Sequence, residues 1–327
     1  MAEMMKAGVA SENGLTVKLV ARPQPASEQI LVRVVAAGMN RADLNAAKGA
    51  GVAGKDSWGK PIGMEWAGKI VAVGDGVRAF KPGEFVMCSG TGGYAEYAVA
   101  DIGRTISLDG SNLVLEHAAA LPLALMTAHD AVITNGRLRS GETVLVQGAS
   151  SAVGLAALQI AKKVGASLVI ATSTSATRSK RLAAFGADLV LDPSDPSWVD
   201  QVLKATDGQG ANVIIDMVSG ATINGSMRAA AVLGRMVNVG RLGGVKTEFD
   251  LDLHSLKRLN YIGTTFRTRN LAEVREIVRV MRADLWEAIV SGKIELPVDR
   301  IFPLDEAAAA HAYMASNAHF GKIVLKP

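Results

Sequence analysis

Seven small residues, Gly148-Ala149-Ser150-Ser151-Ala152-Val153-Gly154, separate an apolar run at 143–147 from a stretch in which Leu155, Leu158, Ile160, Ala161 and Val164 recur at helical spacing. A buried strand, a tight turn and a helix in that order aim free backbone N–H groups and the positive end of a helix dipole at an anion, and a pyrophosphate is the anion that geometry suits. All seven turn residues are therefore candidate cofactor contacts. The usual G-x-G-x-x-G spacing is reduced to Gly148 and Gly154, with Ser151 and Ala152 where a closer backbone approach would prefer glycine. A merely structural strand-to-helix turn is the alternative for the loop taken alone.

The next apolar run, 168–171, leads into Thr172, Ser173 and Thr174, with Arg178 a few residues later. An Asp or Glu at this strand end would accept from the adenine ribose 2′-OH and select NAD. Hydroxyls and a cation suit a 2′-phosphate instead, so Thr172, Ser173 and Arg178 point to NADPH over NADH. A polar helix cap followed by a surface arginine is the competing interpretation.

Metal and nucleophile chemistry find little support. The five histidines, His117, His129, His254, His311 and His319, are widely spaced, without a His-x-x-x-His pair. Cys88 is the sole cysteine, which excludes a disulfide within the chain and a cysteine-based zinc cluster. No metal site is expected. No G-x-S-x-G elbow occurs, against a hydrolase on this scaffold.

The elements that must hold these residues fall into two patterns. From 5 to about 110 the signals are short and β-like, at 5–10, 15–20, 29–37, 68–73, 84–88 and 95–99, punctuated by Gly, Pro, Asn and Asp. The Gly- and Lys-rich stretch 48–61 has no regular period and reads equally as a lid or a passive connector. Residues 113–135 turn helical. Strand and helix then alternate, with strands at 143–147, 168–171, 189–191, 213–217, 235–239 and 261–266 and helices between them and at 271–291, the order of a doubly wound parallel sheet. The last segment, 294–327, holds two strand-like runs around an alanine-rich helix and is expected to return to the first domain.

With 327 residues, 49% of them hydrophobic and 20% charged, the chain is expected to form two globular α/β domains, each able to bury a core. The formal net charge of +4 carries no clustered basic run, so nucleic acid is a poor partner. The N-terminal stretch lacks the apolar segment of a secretory signal, and no apolar run reaches the roughly 18 residues of a membrane span. A cytoplasmic location without membrane attachment is the resulting expectation.

Seven segments in order resemble the zinc-independent quinone oxidoreductase (zeta-crystallin-like) branch of the medium-chain dehydrogenase/reductases. They are AAGMNRADL at 36–44, PIGMEWAG at 61–68, VGDGVRAFKPGE at 73–84, GGYAEY at 92–97, ALPLALMTA at 120–128, GETVLVQGASSAVG at 141–154 and DRIFPLDEAAAAHAYMASNAHFGKIVL at 299–325. The resemblance implies a GroES-like, β-rich catalytic domain (1–122 with 295–327) and a Rossmann domain (123–294), with the active cleft between them. Zinc-dependent relatives carry a cysteine and a histidine ligand where this chain has Asn40 and Met64, which supports metal-free chemistry.

By the same similarity Asn40 lies near the nicotinamide and acceptor, and Asp43 helps fix its loop; a turn former and a local cap are the bland alternatives. Thr127, Gly240, Arg267 and Lys322 resemble further cofactor contacts. Some relatives have a tyrosine two residues after the Asp, where Asn45 stands here, so solvent or another donor would supply the proton. The activity implied is NADPH-dependent hydride transfer to a quinone or other α,β-unsaturated carbonyl. The alternative is a dinucleotide-binding structural or regulatory protein with little turnover. Relatives suggest a homodimer, with 260–266 as a candidate edge strand.

Overall fold

The computed structural model describes residues 3–49 and 58–327. Most of the 48–61 stretch, residues 50–57, lies outside the described residues. Two compact units emerge, Met1–Leu123 with Asn270–Pro327, and Ala124–Arg269.

The first unit opens with an antiparallel pair, β1 (Met4–Ser11) and β2 (Gly14–Ala21). Its main sheet contains β3 (Gln29–Gly38), β4 (Glu65–Val73), β5 (Phe85–Ser89), β6 (Tyr97–Asp101) and β7 (Thr105–Ser107). Helix α1 (Arg41–Ala47) follows β3, and α2 (Leu115–Ala118) and the start of α3 (Pro122–His129) close this part of the chain.

In the second unit, β8 (Thr143–Gln147), β9 (Leu168–Thr172), β10 (Leu189–Leu191), β11 (Ala211–Asp216), β12 (Ala230–Asn238) and β13 (Asn260–Gly263) alternate with α4 (Ala152–Val164), α5 (Ala176–Leu182), α6 (Trp198–Ala205), α7 (Ile223–Ala229) and α8 (Leu251–Leu256). The chain then forms α9 (Leu271–Val290), β14 (Val298–Pro303), α10 (Ala307–Ala315) and β15 (Lys322–Lys326), all within the first unit. Helix α9, expected from its sequence position to go with the nucleotide half, is held in the first unit by Arg275, which pairs with Asp101 and Glu28.

The main sheet of the first unit has the order β14-β15-β3-β4-β5-β7, with β6 also on β3. Both β4 and β15 run antiparallel to β3. The end of β3 therefore meets the beginnings of β4 and β15, and Gly38 is paired with Glu65 on one side and Val324 on the other. Trp66, Ile70, Tyr94, Ile323 and Leu325 are part of the core around it.

The second unit's sheet is parallel throughout, in the order β10-β9-β8-β11-β12-β13. This is the Rossmann order, whose direction reverses between β8 and β11, and ligands bind beyond the strand ends at that reversal. Val144, Leu145 and Val146 are all fully buried, as a strand covered on both faces requires. Ser151 caps α4 by accepting from Gly154 N–H at 3.1 Å, and Gly165 ends it at φ +90°.

Three local expectations change. The helical stretch 113–135 is broken: α2 ends before Pro122, which lacks an N–H and opens α3, and residues 130–135 form a π-helical turn in which Asn135 Nδ2 donates to Asp130 O at 2.8 Å. Strand β13 stops at Gly263 rather than 266, because Thr264 turns both its N–H and its hydroxyl to Asn238 O. Strand β12 begins at Ala230, directly after α7, and β7 and α8 were not expected.

Candidate active site

At the reversal of the parallel sheet, Gly148 leaves β8 with φ +72°, a conformation that favours glycine. A Cβ on Gly154 would lie 2.6 Å from Ala149 Cα, so α4 packs against the turn at a distance only glycine permits. A Cβ on Gly240 would likewise lie 2.6 Å from Met217 O. The loops after β8, β11 and β12 thus close together at the strand ends through glycine contacts. Together with the N-terminus of α4 they make a cradle that fits a dinucleotide's pyrophosphate, without the middle glycine of the usual motif.

Thr172 does not face outward. It is fully buried, and its hydroxyl donates to Gln147 Oε1 at 2.6 Å while accepting from Gly148 N–H at 3.1 Å. Gln147 in turn donates to Ser226 Oγ at 3.1 Å. The threonine braces the turn after β8 from beneath, so of the residues expected at a 2′-phosphate, Ser173 and Arg178 are the ones not tied to that turn. Ser173 Oγ accepts from Ser175 N–H, Ser175 caps α5, and Arg178 stands half-buried in the first turn of that helix.

Asp216, at the end of β11, is a functional candidate that the motifs along the chain do not mark. Burial raises its pKa, while its carboxylate accepts from the N–H groups of Val218 and Ser219 at 2.8 and 2.9 Å. Ser219 is held at φ +54°, where it donates to Gly240 O at 2.9 Å and accepts from Asn238 Nδ2. This network fixes the backbone beside Gly240. Its only sequence signal is an acidic residue closing an apolar strand.

In the first unit, Asn40 follows the end of β3 and precedes α1. Its Nδ2 donates to Glu65 Oε1 at 2.9 Å, and its Oδ1 accepts from Lys322 Nζ at 2.9 Å. Lys322 Nζ also donates to Met39 O at 2.7 Å and pairs with Glu65 Oε1. The second oxygen, Glu65 Oε2, accepts from Leu123 N–H at 2.7 Å. Glu65 and Lys322 are buried, whereas Asn40 is half-buried. A Cβ on Gly38 would lie 2.7 Å from Glu65 Oε1, so the glycine leaves room for the carboxylate.

Asp43 is fully buried behind this group. Its Oδ2 accepts from Tyr94 OH at 2.7 Å and from Asn40 N–H at 2.8 Å, and its Oδ1 has no partner among the described residues. Burial outweighs these bonds and raises its pKa to about 7. His311 meets the Tyr94 ring edge-on, 6.1 Å between centroids, and burial lowers its pKa to about 4.

The structure brings Asn40 and Lys322 together and adds Glu65 and Tyr94, which no sequence motif singles out. Glu65 could have been suspected as the one charge inside the apolar run of PIGMEWAG. Thr127 is half-buried on α3. Arg267 is exposed; it is Arg269, two residues on, that pairs with buried Asp130 at 2.7 Å. Among the described residues no group of three or more His, Cys, Asp or Glu side chains could hold a metal ion, and no helix is long and apolar enough to cross a membrane.

The families described as "Alcohol dehydrogenase GroES-like domain" and "Zinc-binding dehydrogenase" match residues 26–110 and 152–283. Rat quinone oxidoreductase is 31% identical over 306 residues, spanning 93% of this chain and 90% of the relative. The chain belongs to the quinone oxidoreductase family of medium-chain dehydrogenase/reductases. A phenolphthiocerol/phthiocerol polyketide synthase from Mycobacterium tuberculosis is also 31% identical over 96% of this chain, which spans 14% of that much longer relative. The native structure of mycobacterial Rv1454c complexed with NADPH superposes with a TM-score of 0.87 at 27% identity, covering 99% of this chain and 100% of the other.

The matched families place the chain on the GroES-like and Rossmann framework of the medium-chain dehydrogenase/reductases.

Proposed function

We propose that the protein reduces quinones or other α,β-unsaturated carbonyls with NADPH, without a metal. The observation that carries this reading is the amide of half-buried Asn40, held by Glu65 and Lys322 with one N–H not engaged among the described residues. Such a donor suits charge that develops on an acceptor oxygen during hydride transfer. When bound, the reduced nicotinamide supplies the hydride; with one further proton from solvent, a quinone becomes a hydroquinone. The chain's part is to place the acceptor and donate a hydrogen bond to its oxygen.

The preference for NADPH rests on Ser173 and Arg178 and on the lack of an acidic residue where β9 ends. The glycines at 148, 154 and 240 and the network behind them would hold the pyrophosphate and ribose, with Thr127 and Arg267 as further candidates from the family resemblance; Lys322, buried and with its three protons engaged by Met39, Asn40 and Glu65, is not one of them in this reading. Asp43 is a support for the Asn40 loop in this reading. A homodimer paired through β13, whose residues Asn260, Tyr261 and Gly263 are exposed at the sheet edge, accompanies it.

The test is the loss of NADPH absorbance with an ortho-quinone in the presence of a chelator, beside the same assay with NADH and with an enone panel. Rapid, chelator-resistant oxidation preferring NADPH is expected. Saturable NADPH binding with no turnover on any acceptor would return the chain to the dinucleotide-binding alternative.

A further inference from the structure

A carboxamide has two ends of nearly the same shape, one a donor and the other an acceptor, and a half-turn about its last bond exchanges them. An asparagine that must present an N–H to a ligand therefore needs something to choose the end. At Asn40 both inward contacts discriminate. Lys322 Nζ carries only donors and meets Oδ1; Glu65 Oε1 only accepts and meets Nδ2. In the flipped amide, NH2 would face the ammonium and the carbonyl would face the carboxylate, so both bonds would become repulsions.

We propose that Glu65 and Lys322 are positioning residues that set the direction of the Asn40 amide, so that its second N–H, and not its carbonyl, meets the acceptor oxygen. This rests on the reading of Asn40 as the donor to that oxygen. The pair is well placed for the task. Lys322 has three bonds to Met39 O, Asn40 Oδ1 and Glu65, which use the three protons of an ammonium, so it has none left for the substrate. Glu65 is held on its other oxygen by Leu123 N–H. Glu65 and Lys322 are buried, and Asn40, half-buried, is the more accessible residue of the three.

The experiment compares Asn40→Ala, the double variant Glu65→Leu with Lys322→Met, and Glu65→Gln. Each is assayed with NADPH and an ortho-quinone, with NADPH affinity read separately by fluorescence titration and folding by Tm. The double variant removes both charges together and leaves Asn40 in place but without direction. A loss of about 100-fold in kcat is expected for Asn40→Ala and about tenfold for the double variant, with NADPH affinity within about twofold of wild type.

Should the double variant not fold, Glu65→Gln decides. Its amide puts a donor against either Leu123 N–H or the Asn40 group, and the same fall in kcat at unchanged NADPH affinity is expected. A wild-type kcat in Asn40→Ala overturns the reading of Asn40 itself. A loss in Asn40→Ala with wild-type kcat in the double variant, or in Glu65→Gln where that one decides, overturns the positioning role alone. A fall in kcat matched by falls in NADPH affinity and Tm also overturns it, since it marks the pair as structural.

Discussion

The hydroxyl of Tyr94 donates to the carboxylate of Asp43 at 2.7 Å, and both side chains are fully buried. Burial raises Asp43 to about 7, from an ordinary 3.8, so between these values the folded protein holds a proton that the unfolded chain releases. Stability from this group is full below about pH 4 and is lost as pH rises through about 7. His311, edge-on to the Tyr94 ring, is lowered to about 4 from 6.5 by burial. Its contribution has the opposite sign, present above about pH 6.5 and lost as pH falls through about 4.

The two slopes oppose each other in the wild type between about pH 4 and 6.5. Asp43→Asn removes one of them. The unfolding free energy of that variant, from urea titrations, should climb over this range by about 3 kcal/mol more than that of wild type. Parallel curves for the two proteins would show that Asp43 does not titrate there.

Gly154→Ala tests the close contact between α4 and the turn before it. The added carbon would meet Ala149 Cα at 2.6 Å, and the helix must shift. A cost of about 1–3 kcal/mol in thermal stability is expected. NADPH affinity, followed by fluorescence, should fall about tenfold because the N–H groups move with the helix. Unchanged affinity would place the phosphates elsewhere.

Thr172 and Arg178 separate bracing of the turn from choice of cofactor. Thr172→Val strips a hydroxyl that serves Gln147 Oε1 and Gly148 N–H, at roughly 1–3 kcal/mol for each buried group left unpaired. It should weaken NADPH and NADH alike. Arg178→Glu should lower the ratio of kcat/KM for NADPH over NADH by about 10- to 100-fold. A ratio that does not move would remove Arg178 from the 2′-phosphate site.

Arg269 and Asp130 tie the π-helical turn to the segment after β13. Burial raises the Asp130 pKa, and Arg269 opposes this from 2.7 Å. Removing the arginine leaves a buried carboxylate without its cation, so Arg269→Ala should cost about 3 kcal/mol. Protonation relieves that loss, so the penalty measured by denaturant should be larger at about pH 8 than at about pH 5. Adding Asp130→Asn should recover most of it at the higher pH.

The alternation of strands and helices after residue 143 was legible because each run is long enough to show its period and is bounded by glycine or polar residues. The small-residue turn could be located for the same reason. Break points were less so: Pro122 and the π-helical turn interrupt what reads as one helix, since period alone does not register where a backbone hydrogen bond is skipped. Within the candidate site, Asn40 and Lys322 could be proposed only through resemblance. Nothing in their local sequence says that they meet.

By itself the sequence determined the parallel-sheet half, the small-residue turn with its two glycines, and the absence of an acidic residue at the end of the second strand, because these depend on neighbours along the chain. Tertiary structure alone decided which hydroxyls face inward. In a strand covered on both sides the alternation of polar and apolar residues vanishes, so the sequence does not say that Thr172, the last residue of β9, turns its hydroxyl to Gln147 and Gly148. It also decided the company of Asn40, which meets Glu65 25 residues away and Lys322 282 residues away. Antiparallel neighbours bring one strand's end to two distant strands' beginnings, and only the sheet order says which.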